Sequence, residues 1–458
     1  MGNLAFGNKY FILSKFSSIP KTSKIEQDRA NLIKEHEDLT AFETSEELAG
    51  FIELEKYINS KEHKDILDSV HSQKQNLDGK EKLYQSQKKA RIFKKYFKFK
   101  ESPKLKGFYS FKESKELADY NENKGGENEI KPSSAIKKHF KFEDSTKFKD
   151  FLNFEKSKEL ADYIELEKYL NSSEYKELAN SLDEQEKTEN EKIKKFEEFK
   201  NSKQYKWYLG LKGSDKFDEM KSWEITFEEN FNGKKLDAEK WMTRYLWGDK
   251  LINDAYAMES DKAFPTDGNN IELSGKTMKI VTRNEKTSGK VWKIPFGFIP
   301  QEFDYSTGLI STANRFQQKY GRFEAKIKVN YSKPVNYNFW MASDKMLPHV
   351  DILKLDKKKT RIDMAHHYGE ISDTKKPEKK TAEFKGLDVS QDFFIYTFEW
   401  TKSKMTWKIN GVVMNEQTQG IPKEEMYLVF SSAITGKVDG GGLPASMEID
   451  WVKCYQKV

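Results

Sequence analysis

From about residue 40 to residue 222 a serine is followed by large apolar residues three and six positions later, and this pattern recurs eight times. It occurs at Ser45 (Leu48, Phe51), Ser102 (Leu105, Phe108), Ser114 (Leu117, Tyr120) and Ser145 (Phe148, Phe151). It returns at Ser157 (Leu160, Tyr163), Ser172 (Tyr175, Leu178), Ser202 (Tyr205, Tyr208) and Ser214 (Phe217, Met220), with Ser60 (His63, Ile66) a degenerate ninth. Three pairs, 102/114, 145/157 and 202/214, are twelve residues apart; 45/60 and 157/172 are fifteen apart. Serine ahead of charged helix formers is a good N-cap, and a spacing of three keeps neighbours on one side of a short helix. In one unbroken α-helix a strict three-residue period drifts by about 60° per step, so the apolar stripe would wind round the rod. Breaking the chain at each serine resets it. The spacing therefore predicts short helices joined by tight turns and packed as an irregular helical array, with Gly125-Gly126 and Lys131-Pro132 marking a looser joint.

A charged, partly disordered stalk is the competing reading, because this half is rich in Lys and Glu. The regular Phe, Tyr and Leu positions argue against it, since they give each helix something to bury. At 458 residues the chain is long enough for two or more domains, each with its own core. Its 80 Lys and Arg against 74 Asp and Glu leave a net charge of +6, too modest an excess to argue for nucleic acid, and no basic patch with interleaved stacking residues supports one. The single cysteine, Cys454, rules out an internal disulfide or a cysteine-built zinc site and is expected to be buried in a strand. No window approaches a membrane span. The N-terminus reads as lacking a signal-peptide core, a lipoprotein cysteine and a myristoylation site, which leaves the compartment open.

The second half is a different object and contains eight of the nine tryptophans. Its landmarks begin with Phe227-Glu228-Glu229-Asn230-Phe231-Asn232-Gly233, Leu236-Asp237 and Lys240-Trp241. Thr307-Gly308-Leu309-Ile310-Ser311-Thr312 precedes Tyr-Gly-Arg-Phe-Glu-Ala-Lys-Ile-Lys at 320–328, and Phe339-Trp340-Met341 leads to His349-Val350-Asp351-Ile352-Leu353-Lys354. His367-Tyr368-Gly369, Asp392-Phe393-Phe394-Ile395-Tyr396, Glu399-Trp400, Trp407-Lys408-Ile409-Asn410-Gly411 and a closing run from Met447 to Gln456 complete the series. In order and content these segments resemble glycoside hydrolase family 16, the laminarinases and their relatives. The resemblance implies a jelly-roll β-sandwich of the concanavalin-like kind. It also implies a catalytic strand reading Glu-Ile-Asp-Ile-x-Glu where this chain has His349 to Lys354.

On a strand, His349, Asp351 and Leu353 share a face unless a bulge shifts the register and brings Lys354 round. A retaining glycosidase needs two carboxyl groups about 5–5.5 Å apart, one to attack and one to protonate the leaving oxygen. By the resemblance, His349 stands where the nucleophile belongs and Lys354 where the general acid belongs, leaving the assisting Asp351. Loss of hydrolysis is the expectation. Imidazole acting as a base for water is the minority alternative. Sugar binding relies on aromatic faces and hydrogen bonds separate from the reacting groups, so it can outlast catalysis. Trp247, Trp292, Trp340, Tyr320, His367 and Tyr368 are the candidates to line the groove with Asp351, although Trp340, like Trp400, reads as core-like and His366 as structural. A closed groove in which His349, Asp351 and Lys354 only satisfy one another's charge is the bland alternative. The stretch from Lys286 to Tyr305, with Trp292, Phe296 and Phe298, reads as a loop that fits either a roof over the groove or a cover for a sheet edge. Some relatives hold calcium on the outer side of the sandwich; the matching acids here are Glu229 and Asp450, but Asn230 replaces an acid and no tightly bound ion is expected.

The chain is thus read as multidomain: an extension over 1–39, all-α helical repeats over 40–222, and an all-β sandwich over 223–458. Its expected role is non-catalytic binding of a β-glucan-like polysaccharide by a degenerate domain carried on a helical scaffold. A structural or assembly protein is the alternative, with residues 40–222 contacting a protein partner or further copies, and an unconventional hydrolase is the third reading.

Overall fold

The computed structural model describes residues 19–126, 130–356, 358–370, 377–438 and 441–458. It divides into two compact units, Leu39–Lys212 on one hand and Met1–Asp38 with Gly213–Val458 on the other.

Serine caps organise the first unit. At Ser45, Ser60, Ser102, Ser114, Ser145, Ser157, Ser172 and Ser202 the backbone is extended, and the hydroxyl accepts the amide N–H three residues on. That spacing matches the buried pattern, so in most of these helices the residue whose amide the serine holds is also the first one buried, as with Leu48, Leu105, Leu117, Phe148 and Leu160. Ser214 does not follow the rule. The helix there starts only at Asp218, and the preceding Phe217 is buried without a capping bond.

Two breaks escape a search keyed on serine followed by two large apolar residues. Ser133 caps Ser134–Glu143 with Ile136 and His139 buried, and Ala90 opens Arg91–Lys100 with Phe93, Tyr96 and Phe99 buried. Ala90 has the extended backbone of its serine counterparts and no capping bond. Ala90→Ser is therefore expected to stabilise this unit by about 0.5–1 kcal/mol. Thermal denaturation should show a midpoint raised by roughly 1–4 °C, and a fall would mean the break at residue 90 is held by packing that a hydroxyl disturbs.

The expectation of uniformly short helices fails at Lys61–Lys89 and Ser173–Lys200, which are 29 and 28 residues long. There the buried positions step by seven, His63, Val70, Leu77 and Tyr84 against Leu182, Glu189 and Phe196. A seven-residue seam keeps facing its partner along a gently supercoiled helix and needs no reset. The helices pack across the unit in a consistent order. Phe51 meets Phe196 and Phe199, His63 meets Glu189, Tyr84 meets Tyr163, Tyr96 meets Phe151 and Phe108 meets His139. As one partner's number rises the other's falls, so the helices form two antiparallel rows joined by a largely aromatic seam. The joint between the rows lies after Asn123 and before Ser134, with Gly125 at φ 86°; residues 127–129 lie outside the described residues.

The second unit is a sandwich of two antiparallel sheets. The outer sheet runs Val412–Gln417, Met405–Ile409, Phe394–Trp400, Gly321–Asn330, Ala445–Lys457, Met278–Thr282, Ile271–Leu273, and Trp223–Glu229 also pairs with Ala445–Lys457. The inner sheet runs Glu378–Lys385, Arg361–Tyr368, His349–Leu355, Val335–Ala342, Tyr427–Ile434, Leu309–Ser311. Alternate residues from each, among them Phe323, Phe398, Trp400 and Trp407 facing Phe339, Leu353 and Phe430, fill the space between. Cys454 is buried there, as expected. The 286–305 segment is not a loop. It forms a hairpin, Thr287–Lys293 with Gly297–Phe303, and adds a parallel strand at Tyr256–Met258.

The outer sheet's outer face is covered by residues that read in the sequence as an extension. The helix Thr22–Glu43 sets Arg29 on Glu324 through two bonds of 2.9 Å, and Glu26 on Lys326 at 2.8 Å with the Trp451 indole N–H at 3.2 Å. Ahead of it, Pro20 O accepts from Asn410 Nδ2 at 2.9 Å. On the same unit, Trp223 Nε1 donates to Glu219 at 3.1 Å and Glu219 also pairs with Arg322, so the chain joins the sandwich before Trp223.

Candidate functional site

A β-bulge decides which side chains meet. On the strand His349–Leu355, His349 pairs with His367 and Asp351 with Ala365, but Lys354 pairs with Asp363, so three steps on this strand match two on its neighbour. The other neighbour records the same extra residue, with Asp351 opposite Trp340 and Leu353 opposite Phe339. His349, Asp351 and Lys354 consequently share the face turned away from the core, while Val350, Leu353 and Leu355 point inward. The bulge also leaves the Asp351 carbonyl turned inward, where the Trp407 indole N–H donates to it at 3.1 Å.

On the outward face His349 Nε2 lies 2.9 Å from Asp351 Oδ1, and His367 Nε2 lies 3.7 Å from Asp351 Oδ2. The two imidazoles meet edge to face with centroids 5.4 Å apart. Asp351 is 6% exposed. Burial pushes its pKa up, but hydrogen bonds from His349 and His367 and the charges of His349 and Lys354 outweigh this and hold the carboxyl well below the ordinary carboxylate range. Lys354 is half-buried, and no carboxylate among the described residues lies within ion-pair distance of it. Across the sheet Arg361 holds Asp363 at 2.9 Å and also pairs with Glu383.

Trp340 is buried, as a core-like residue should be, but on the cleft side. Alternation turns Phe339 and Met341 into the core and Trp340 outward, where its ring stacks on His349 at 4.8 Å and its N–H donates to Ser431 at 3.1 Å. Met242, Leu246, Leu309 and Tyr427 pack around it. The structure thus brings His349, Asp351, His367 and Lys354 together with the groove candidate Trp340, and adds Ser431, which only the register of the neighbouring strand could have revealed.

The remaining candidates lie elsewhere. Tyr368 alternates to the face opposite His367, where it stacks on His366, lies against Gly420 and donates to Glu378 at 2.7 Å. Tyr320 packs edge-on against the core residue Trp400 at 5.0 Å. Trp292 is 38% exposed on the hairpin, edge-on to Phe298, and Trp247 is half-buried on the short helix Leu246–Ile252 beneath Lys250. His366 is fully buried. Glu229 accepts the Phe231 amide at 2.8 Å, and Asp450 pairs with Lys326 at 2.7 Å, so both acids already have partners. Among the described residues no group of three or more His, Cys, Asp or Glu is arranged to hold a metal ion, and no helix is long and apolar enough to cross a membrane.

Residues 256–453 match the family model of the Glycosyl hydrolases family 16. Among curated proteins, the chain is 24% identical over 270 residues to glucan endo-1,3-beta-glucosidase A1 of Niallia circulans, which covers 51% of this chain and 38% of that protein. It is 24% identical over 255 residues to a beta-glucanase of Brevibacillus brevis, covering 52% of this chain and 85% of that one. Among solved structures, the catalytic domain of an endo-1,3-beta-glucanase (laminarinase) from Thermotoga petrophila RKU-1 is 19% identical with a TM-score of 0.42, covering 52% of this chain and 98% of that chain. The matched half is the sandwich.

Proposed function

We propose, taking residues 256–453 as a domain of the glycosyl hydrolases family 16 type, that the sandwich binds a β-glucan-like or related polysaccharide without cleaving it. The observation that carries this reading is the composition of one strand face: His349, Asp351 and Lys354 are aligned by the bulge, with a single carboxylate among them. Double displacement on a sugar needs a second carboxyl group about 5–5.5 Å from the first. Asp351 is bonded to two imidazoles, and the next acids on this face, Asp363 and Glu383, are paired with Arg361. Lysine can release a proton, but on this strand face no carboxylate among the described residues stands unpaired to form the glycosyl intermediate. The helical unit, with its paired rows and no catalytic constellation among the described residues, serves as the scaffold or spacer.

The cover over Trp340 by Met242 and Leu246 favours a second reading, in which the sandwich is a folded block in an assembly and the helical rows make the contacts. One experiment separates the two. The full-length protein is run through gels containing laminarin, mixed-linkage β-glucan and related galactans, and each polysaccharide is assayed for new reducing ends. Retardation without product is the expected result. Product that disappears in Asp351→Asn would overturn the non-catalytic reading, and passage through every gel unretarded would favour the assembly reading.

A further inference from the structure

The cleft face carries more positive charge than its own acids neutralise. The Asp351 carboxylate is engaged by His349 and His367, and Asp363 and Glu383 are engaged by Arg361. Two cations on this face remain without a carboxylate within ion-pair distance among the described residues: the half-buried Lys354, and Lys379, which stands directly opposite His367 on the neighbouring strand. Reading across the sheet, His349, His367 and Lys379 form one basic row, and Lys354 lies farther along the same face, on the order of 15 Å from His349 at about 3.3 Å per residue. A half-buried ammonium without a partner is costly, and its cost is recovered when a bound anion supplies the missing charge.

We propose that the polysaccharide taken by this face bears carboxylate or sulfate groups, with Lys354 as the residue that selects them. This rests on the binding reading above and narrows it to a substrate class. A neutral sugar offers Lys354 hydroxyl acceptors but no anion in contact with it. An anionic group forms a charge-assisted bond of roughly twice the strength of a neutral one. Lys379 and His367 extend the basic surface towards the sheet edge.

The test uses the full-length protein and one glycan backbone in three forms: laminarin, its sulfated derivative and its C6-oxidised, carboxylated derivative, titrated by calorimetry at matched chain length and ionic strength. At least tenfold tighter binding of one anionic form than of laminarin is expected, and whichever form binds tighter identifies the group. Lys354→Gln should reduce that preference at least fivefold, Lys354→Arg should retain it, and Lys149→Gln, at an exposed position of a helix in the other unit, should leave it unchanged. Equal affinity for all three forms, or a preference that survives Lys354→Gln, overturns the inference and leaves polysaccharide binding standing. A preference lost equally in Lys149→Gln overturns it in favour of general attraction to a basic chain. Failure of all three forms to bind removes the binding reading itself and the inference with it.

Discussion

Arg29→Ala is expected to destabilise the sandwich unit by about 3 kcal/mol. Glu324 stands on the outer face of the outer sheet with its side chain 2% exposed, and Arg29 meets both its oxygens at 2.9 Å. Removing the guanidinium leaves a buried carboxylate with the Thr397 hydroxyl, 2.8 Å from Oε1, as its remaining side-chain hydrogen-bond donor among the described residues. Breaking one partner of such a pair costs about 3–5 kcal/mol, and the lower end applies because Arg29 itself is 40% exposed. For a unit of this size the thermal midpoint should fall by roughly 6–12 °C. The double variant Arg29→Ala with Glu324→Gln should recover much of the loss, because it removes the stranded charge. A change below about 0.5 kcal/mol in Arg29→Ala would mean that the first helix is not held on the sheet by this pair.

That contact also shows where the sequence was silent. Arg29 and Glu324 are 295 residues apart, and nothing in a charged stretch before the first serine repeat marks one arginine as the partner of a buried glutamate. Repeats and alternation were far more legible. The serine caps follow from local chemistry, since the hydroxyl and the amide it holds are three residues apart in the chain. The long helices were missed because their pattern widens from three to seven within one segment, after Ile66. In the candidate site, His349, Asp351 and His367 could be placed from motif order, and Lys354 joined them on the condition of a bulge, which the register shift supplies. Tyr368 was misplaced for the opposite reason: adjacent strand residues point to opposite faces, so His367 and Tyr368 could not both face the cleft. Trp340 was legible as buried but not as the ring beneath His349, because that depends on which residues two neighbouring strands place side by side.

The same alternation sets His366 in the core beside a cleft residue, and this gives the sandwich an acid limb. His366 is fully buried, its ring is stacked on Tyr368 at 4.7 Å, and neither ring nitrogen has a hydrogen-bond partner among the described residues. Burial first, then the neighbouring His367 and His349, push its pKa down from 6.5 to about 4. Between those values the unfolded chain binds a proton that the folded chain refuses, so stability rises with pH across this window and falls as pH drops through 6.5 towards 4. A difference of this size corresponds to about 3 kcal/mol lost by pH 4. The depressed Asp351 adds its own loss only lower, because a carboxylate held below its ordinary value contributes above about 3.8 and gives that contribution up as pH falls further. Urea denaturation of the wild type and of His366→Leu at intervals from pH 7.5 to 4.5 separates the two. The wild type should lose about 2–3 kcal/mol over that range beyond any loss in the variant, while at pH 7.5 the two should differ by less than about 1.5 kcal/mol, since leucine fills the site without a buried unpaired nitrogen. Parallel acid limbs in the two proteins would mean that His366 accepts its proton in the folded state, through a partner such as a buried water that satisfies the ring.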